Sequence, residues 1–89
     1  TETAIHKKEI LFVKLRSLKK DEMEEVFRIA AVFGLTAADY DKSTVIFECA
    51  KTESENDEIL RLFKKYYLSR MEVVRGGSVA VEAISKAER

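Results

Sequence analysis

Few residues in this chain have the chemistry for catalysis or metal binding, and their spacing works against both. The single histidine, His6, lies in a polar stretch without periodicity, TETAIHKK. It reads as a solvated linker residue. The single cysteine, Cys49, sits in TVIFECA, on the same side of an alternating run as Val45 and Phe47. With no histidine near it in sequence, it reads as a small buried hydrophobe rather than a nucleophile. No Cys/His cluster suggests zinc or an iron–sulfur centre. The acids Glu53, Glu55, Asp57 and Glu58 lack the glycine and the alternating ligand spacing of a calcium loop. They read instead as acids favouring a helix N-terminus. Arg75-Gly76-Gly77-Ser78 is not followed by a helical pattern, so it is not a phosphate loop of the usual kind. Its glycines interrupt an apolar run and mark a bulge or tight turn, a structural joint at Gly76 and Gly77. The lysine pairs at 19–20 and 64–65 read as solvated helix faces. These residues assemble neither a catalytic site nor a cofactor or metal site.

The chain is 89 residues long, enough for one small core. Apolar residues make up 46% and charged residues 36%, the balance of a globular domain rather than a disordered one. Net charge is zero, which argues against a nucleic-acid partner, since phosphates call for a basic face. No apolar run approaches the roughly 18 residues of a membrane span, so no membrane partner is expected. A lone cysteine cannot form an internal disulfide, which fits a reducing, cytoplasmic setting. The sequence starts at Thr1 rather than Met and reads as a segment of a longer protein.

The elements that must carry any site follow from periodicity. Residues 1–8 read as a tail or linker stub, and 9–89 as a single domain. EILFVKLRS alternates, with Leu11, Val13 and Leu15 on one face and Ile10, Phe12, Lys14 and Arg16 on the other. In DEMEEVFRIAAVFG the period changes: Met23, Val26, Phe27, Ala30 and Phe33 form a helical stripe. Asp21 with Glu24 has capping-box spacing, and Gly34 suits the left-handed residue after the helix. LTAADYD predicts a weak edge strand, and TVIFECA a stronger one. Thr52 with Glu55 is a second capping-box pattern. It opens a helix with Ile59, Leu62, Phe63 and Tyr66 as its stripe. MEVV predicts the last main strand. The order β-α-β-β-α-β predicts an α+β, ferredoxin-like sandwich: a four-stranded antiparallel sheet with two helices on one face.

That arrangement leaves the second sheet face without a helix. Ile10, Phe12, Lys14 and Ile46 would line it, together with Glu48, Glu72 and Val74, as a partly wet surface for a partner or a second copy. Arg75 is the residue beside the glycines with the reach to contact a partner. LFVKL at 11–15 also resembles the first-strand motif of an RNA-recognition domain, in which an aromatic at the Phe12 position stacks on a base. The outward positions of the third strand are Thr44 and Ile46, however, and neither is aromatic.

A second resemblance covers roughly residues 8–82. KEILFVKLRS resembles the start of the C-terminal domain of the small, regulatory subunit of acetolactate synthase (acetohydroxyacid synthase). In the pattern R-E-[ILM]-x-L-[IV]-K-[IV], Glu9, Val13, Lys14 and Leu15 stand in register. Phe33, Asp39 and Glu48 stand where that family has a helix ending in Phe, an Ile-Val-Asp strand, and a strand ending in an acid or amide. MEVVRGGSVAV matches E-[VL]-[AV]-R-[TS]-G-x-[VI]-[AG]-[LM] with Glu72, Val73, Val74, Arg75, Gly77, Val79 and Ala80. Ala50-Lys51 replaces the usual Thr-Gly, the Ile-Val-Asp strand is the weaker Ala37-Ala38-Asp39, and the chain closes on EAISKAER rather than Arg-Gly.

The resemblance implies a non-catalytic domain in branched-chain amino-acid biosynthesis. It would bind and modulate a catalytic subunit that holds thiamine diphosphate, and would pair as a homodimer through the open sheet face. The family's effector-binding ACT half has no counterpart in these residues. The competing expectation is a freestanding ACT-like amino-acid sensor. Such sensors usually place a glycine after the first strand for close backbone approach, and RSLKKDE has none.

Overall fold

A computed structural model describes residues 8–76. His6, Gly77 and the motif residues Val79 and Ala80 lie outside the described residues. So do most of the expected tail and all of the stretch after Gly76.

The chain runs β1 (Glu9–Leu15), α1 (Lys20–Phe33), β2 (Thr36–Tyr40), β3 (Val45–Lys51), α2 (Glu53–Tyr67), a 3₁₀ turn (Leu68–Arg70) and β4 (Met71–Gly76). The four strands form one antiparallel sheet in the order β2-β3-β1-β4. This is the ferredoxin-like arrangement that the element order predicts.

Strand alternation places the core. Leu11, Val13 and Leu15 are fully buried on one side of β1, and β3 adds Val45 and Phe47. Against them α1 packs Val26 and Ala30, and α2 packs Ile59, Leu60, Phe63 and Tyr67. Phe47 is the centre of the core: Phe27 meets it edge-on at 5.2 Å and Phe63 stacks at 6.3 Å. Such aromatic pairs add directional attraction to area burial.

The helix ends show which local signals survive tertiary contact. At α2, Thr52 Oγ1 accepts from the Glu55 N–H at 3.3 Å. Glu55 Oε1 accepts from the Thr52 N–H at 3.0 Å, completing the expected box. At α1 the box is not at Asp21 and Glu24. The helix starts at Lys20, and Glu22 Oε1 accepts from the Lys19 N–H at 2.9 Å. Only this half of a box exists, because a lysine ammonium has no lone pair with which to return the bond. The start moves because Ser17 takes a left-handed conformation (φ 58°) and turns the chain so that Leu18 is buried. The helix closes as expected. Gly34 is left-handed (φ 75°) and the Leu35 N–H reaches the Ala30 carbonyl at 2.8 Å, a Schellman ending.

The α2 stripe is rotated from expectation. Leu60 and Tyr67 are buried, whereas Tyr66 is exposed. Asn56, a polar residue, is fully buried on the same stripe.

Candidate functional site

The two sheet faces differ in how completely their side chains find partners. Register places Ile10, Phe12 and Lys14 of β1 on the face away from the helices. Phe12 lies between Glu48 of β3 and Val74 of β4, and Lys14 lies between Ile46 and Glu72. Ile10 lies between Ala50 and Gly76. Ile10, Phe12, Lys14 and Ile46 are each half-buried by their neighbours, and Val74 is 63% exposed. The face is therefore apolar along its middle, with Asp39, Glu48 and Glu72 around it. Among the described residues one ion pair closes there, Arg16 to Glu72 at 2.9 Å. A shallow hollow of about 180 Å³ opens where Ile46 meets Asp39, Tyr40 and Thr44.

Arg75 is on the other face. It stands opposite Leu11, whose side chain is in the core. Its Nε and Nη2 donate to Glu9 Oε1 at 2.9 and 2.7 Å, and its Nη1 donates to Asp57 Oδ1 at 2.8 Å. Bonding to Arg75 holds the Glu9 carboxyl below the usual range. The amide of Asn56 donates to the same Oε1 at 3.0 Å and to the Glu9 carbonyl at 3.1 Å. Its oxygen accepts from the Cys49 thiol at 3.4 Å. Asn56 thus satisfies its buried amide while joining α2 to β1 and β3. A single polar residue on an otherwise apolar stripe, three before Ile59, was the sequence signal for this position.

Cys49 packs on the core side as expected but is only partly buried, not the fully buried hydrophobe that its strand position suggests. Burial pushes its thiol pKa up, the direction that lowers thiolate content and reactivity. Glu55 caps its helix and Asp57 pairs with Arg75, so two of the four acids after Thr52 have structural roles. Among the described residues no group of three or more His, Cys, Asp or Glu is placed to hold a metal ion.

A second clamp closes the end of the sheet where β4 begins. Arg70 grips Glu22 with both guanidinium arms at 2.9 and 3.1 Å and donates to the Ser17 carbonyl at 2.9 Å. Bonding to Arg70 holds the Glu22 carboxyl down to about 2. Tyr67 lies under the same guanidinium at 5.2 Å and donates to Glu25 at 3.0 Å. Burial, then the Glu25 bond, pushes its phenol up to about 12. These bonds, with the Leu18 N–H on the Ser43 carbonyl at 2.9 Å, tie down the turn between β1 and α1. That is the turn where an ACT-like sensor would receive its ligand.

The polar groups of the helix side are thus used internally, while the bare face combines apolar surface with charge. A family model described as the small subunit of acetolactate synthase matches residues 8–84. The chain belongs to this family, as its C-terminal domain. The match spans β1 through β4 and continues beyond the described residues. The family is that of a regulatory subunit, and the chain is a regulatory-subunit-like domain. A search of curated proteins finds no match. Among the described residues no helix is long and apolar enough to cross a membrane.

Proposed function

We propose that this domain is a non-catalytic association module. It binds the thiamine-diphosphate catalytic subunit of acetolactate synthase and modulates it, and the helix-free sheet face is its contact surface. Family membership over residues 8–84 carries the reading. The face supports it: Phe12 and Ile46 sit on adjacent central strands with acids around them, a composition suited to an apolar contact with a polar rim. The domain acts by differential contact. It favours whichever state of the catalytic subunit fits this face better and shifts the population toward that state. No proton or group transfer by the domain is needed, and a cytoplasmic setting fits the lone cysteine, which cannot form an internal disulfide. Self-association through the same face is a second reading, favoured by the exposure of Val74 beside Phe12.

The test is to mix the chain with the catalytic subunit from the same cell, then measure association and the rate of acetolactate formation. Binding and a changed rate are expected, and Phe12→Asp is expected to abolish both while leaving the fold intact. Absence of binding and of any rate change with the unmodified chain overturns the proposal. A thermal shift with valine or isoleucine would favour the sensor instead.

A further inference from the structure

The bulge in β2 decides which of its side chains reach the open face. Thr36 pairs with Glu48 and Ala37 with Phe47, but the register then shifts, so that Asp39 pairs with Ile46 and Tyr40 with Val45. In the unshifted register Asp39 would stand opposite Val45, whose side chain is in the core. The extra residue turns Asp39 to the open face beside Ile46. It also keeps Tyr40 on the helix side, where its ring meets Phe27 edge-on at 5.6 Å. The turn that follows brings a second acid to the same place. Asp41 Oδ1 accepts from the N–H groups of Ser43 and Thr44 at 3.0 and 2.9 Å. Asp39 Oδ1 accepts from the Tyr40 N–H at 2.9 Å. Among the described residues Oδ2 of each acid has no hydrogen-bond partner, and neither acid is in an ion pair.

Both acids border the hollow of about 180 Å³, together with Thr44 and Ile46. It lies at the opposite edge and the opposite end of the sheet from Gly76. Lys14, opposite Ile46 on β1, and Lys42, in the turn, pair with neither acid among the described residues. Small-molecule pockets usually exceed about 300 Å³ and enclose their ligand. A shallow hollow of this size suits a single side chain instead. Ile46 offers apolar contact to a stem, and the carboxylates offer acceptors to a cationic head. A lysine head is a point charge. A guanidinium spreads five donors in one plane and can bond two carboxylates and a hydroxyl at once.

We propose that this hollow is the seat of one arginine side chain from the protein that covers the open face. The stem lies on Ile46, and the guanidinium meets Asp39, Asp41 and the Thr44 hydroxyl. Charge complementarity sets the choice: an acidic or apolar group would leave both carboxylates without a partner once water is excluded. For the source of the arginine this inference rests on the association reading, under which it belongs to the catalytic subunit. There it fixes the register of the docked face, to one side of the apolar contact at Phe12.

Two measurements test it. The first is association with the catalytic subunit at low and raised salt, comparing the unmodified chain with Asp39→Asn, Asp41→Asn and both together. Asparagine keeps the Oδ1 acceptor at each position and removes the charge. The double variant is expected to bind roughly tenfold or more weakly, with less salt dependence and an unchanged melting temperature. Glu48→Gln, which removes a charge of the same face outside the hollow, is expected to have a much smaller effect. The second needs no partner: N-acetylarginine amide is titrated into the free chain while backbone amide resonances are followed. Saturable shifts are expected at residues 39–46, absent with N-acetylnorleucine amide and lost in the double variant. A double variant that binds the catalytic subunit as tightly as the unmodified chain overturns the arginine seat and leaves the association reading standing. Arginine-amide shifts that are absent, centred elsewhere or retained in the double variant also overturn the seat. A chain that ignores the catalytic subunit yet shows the localised shifts overturns the association reading and keeps the seat.

Discussion

The two faces of the sheet are built from alternate residues of the same strands, yet among the described residues one is covered by helices and the other is not. On the helix side, Glu9, Leu11, Val13 and Leu15 of β1 meet a closed core and a network through Asn56, Arg75 and Asp57. Among the described residues no buried side-chain nitrogen or oxygen lacks a partner. One residue along in each case, Ile10, Phe12 and Lys14 lie, among the described residues, between strand neighbours with no helix over them. The helix-side face is therefore expected to govern folding, and the open face to govern association. The difference is one of cost: a buried polar group without a partner is expensive, whereas a half-buried apolar group on a wet face costs little until something covers it.

The contrast is broken most directly by truncating one phenylalanine on each side. Phe47→Ala is expected to remove about 3–5 kcal/mol of stability, because it leaves a cavity between Phe27 and Phe63. Phe12→Ala is expected to cost about 1 kcal/mol, the worth of a partly covered ring. Denaturant midpoints for the two variants check this, and equal losses would show that the open face is also part of the folding core.

Asn56→Asp probes the network with almost no change in shape. It replaces the amide donor with a carboxylate facing the Glu9 carboxyl and carbonyl. A loss of about 3 kcal/mol is expected at neutral pH, since a buried charge is left opposite an acceptor. Like-charge repulsion and burial raise the folded-state pKa of the new acid, so the penalty should shrink as pH falls through that value. A penalty independent of pH would mean that the network is held by shape alone.

The smallest effect is in the acid limb of the stability profile. The Glu22 carboxyl lies near 2 when folded and near 4.5 when free. Its contribution is therefore present above about 4.5 and lost as pH falls toward about 2. Glu22→Gln is expected to flatten stability against pH across that window. Denaturation of the variant and of the unmodified chain across the acid range checks this.

Much of this division could be read from residue types in order. Period two separated Leu11, Val13 and Leu15 from Ile10, Phe12 and Lys14, because strand alternation is a property of the backbone itself. Thr52 with Glu55 and the glycine at 34 marked helix ends for the same reason: their bonds span only a few residues. Parity also held the answer for Arg75. Adjacent strand residues point to opposite faces, so with Val74 on the open face Arg75 falls on the helix side, opposite Leu11. Other features required the tertiary structure. The first helix starts at Lys20 rather than after Asp21, where Glu22 answers to Arg70, a residue 48 positions away. The second helix buries Tyr67 instead of Tyr66, its turn on the sheet fixed by Asn56 bonding Glu9 across 47 positions. Whether an edge strand is bulged or flat likewise depends on its neighbour's register, which separates β2 from β4. The sequence by itself therefore determined the elements, the faces of the first and third strands and the family, since these rest on local periodicity and motif order. Only the tertiary structure decided which polar side chains are used internally and how the second helix is turned on the sheet, since those depend on contacts between residues far apart in the chain.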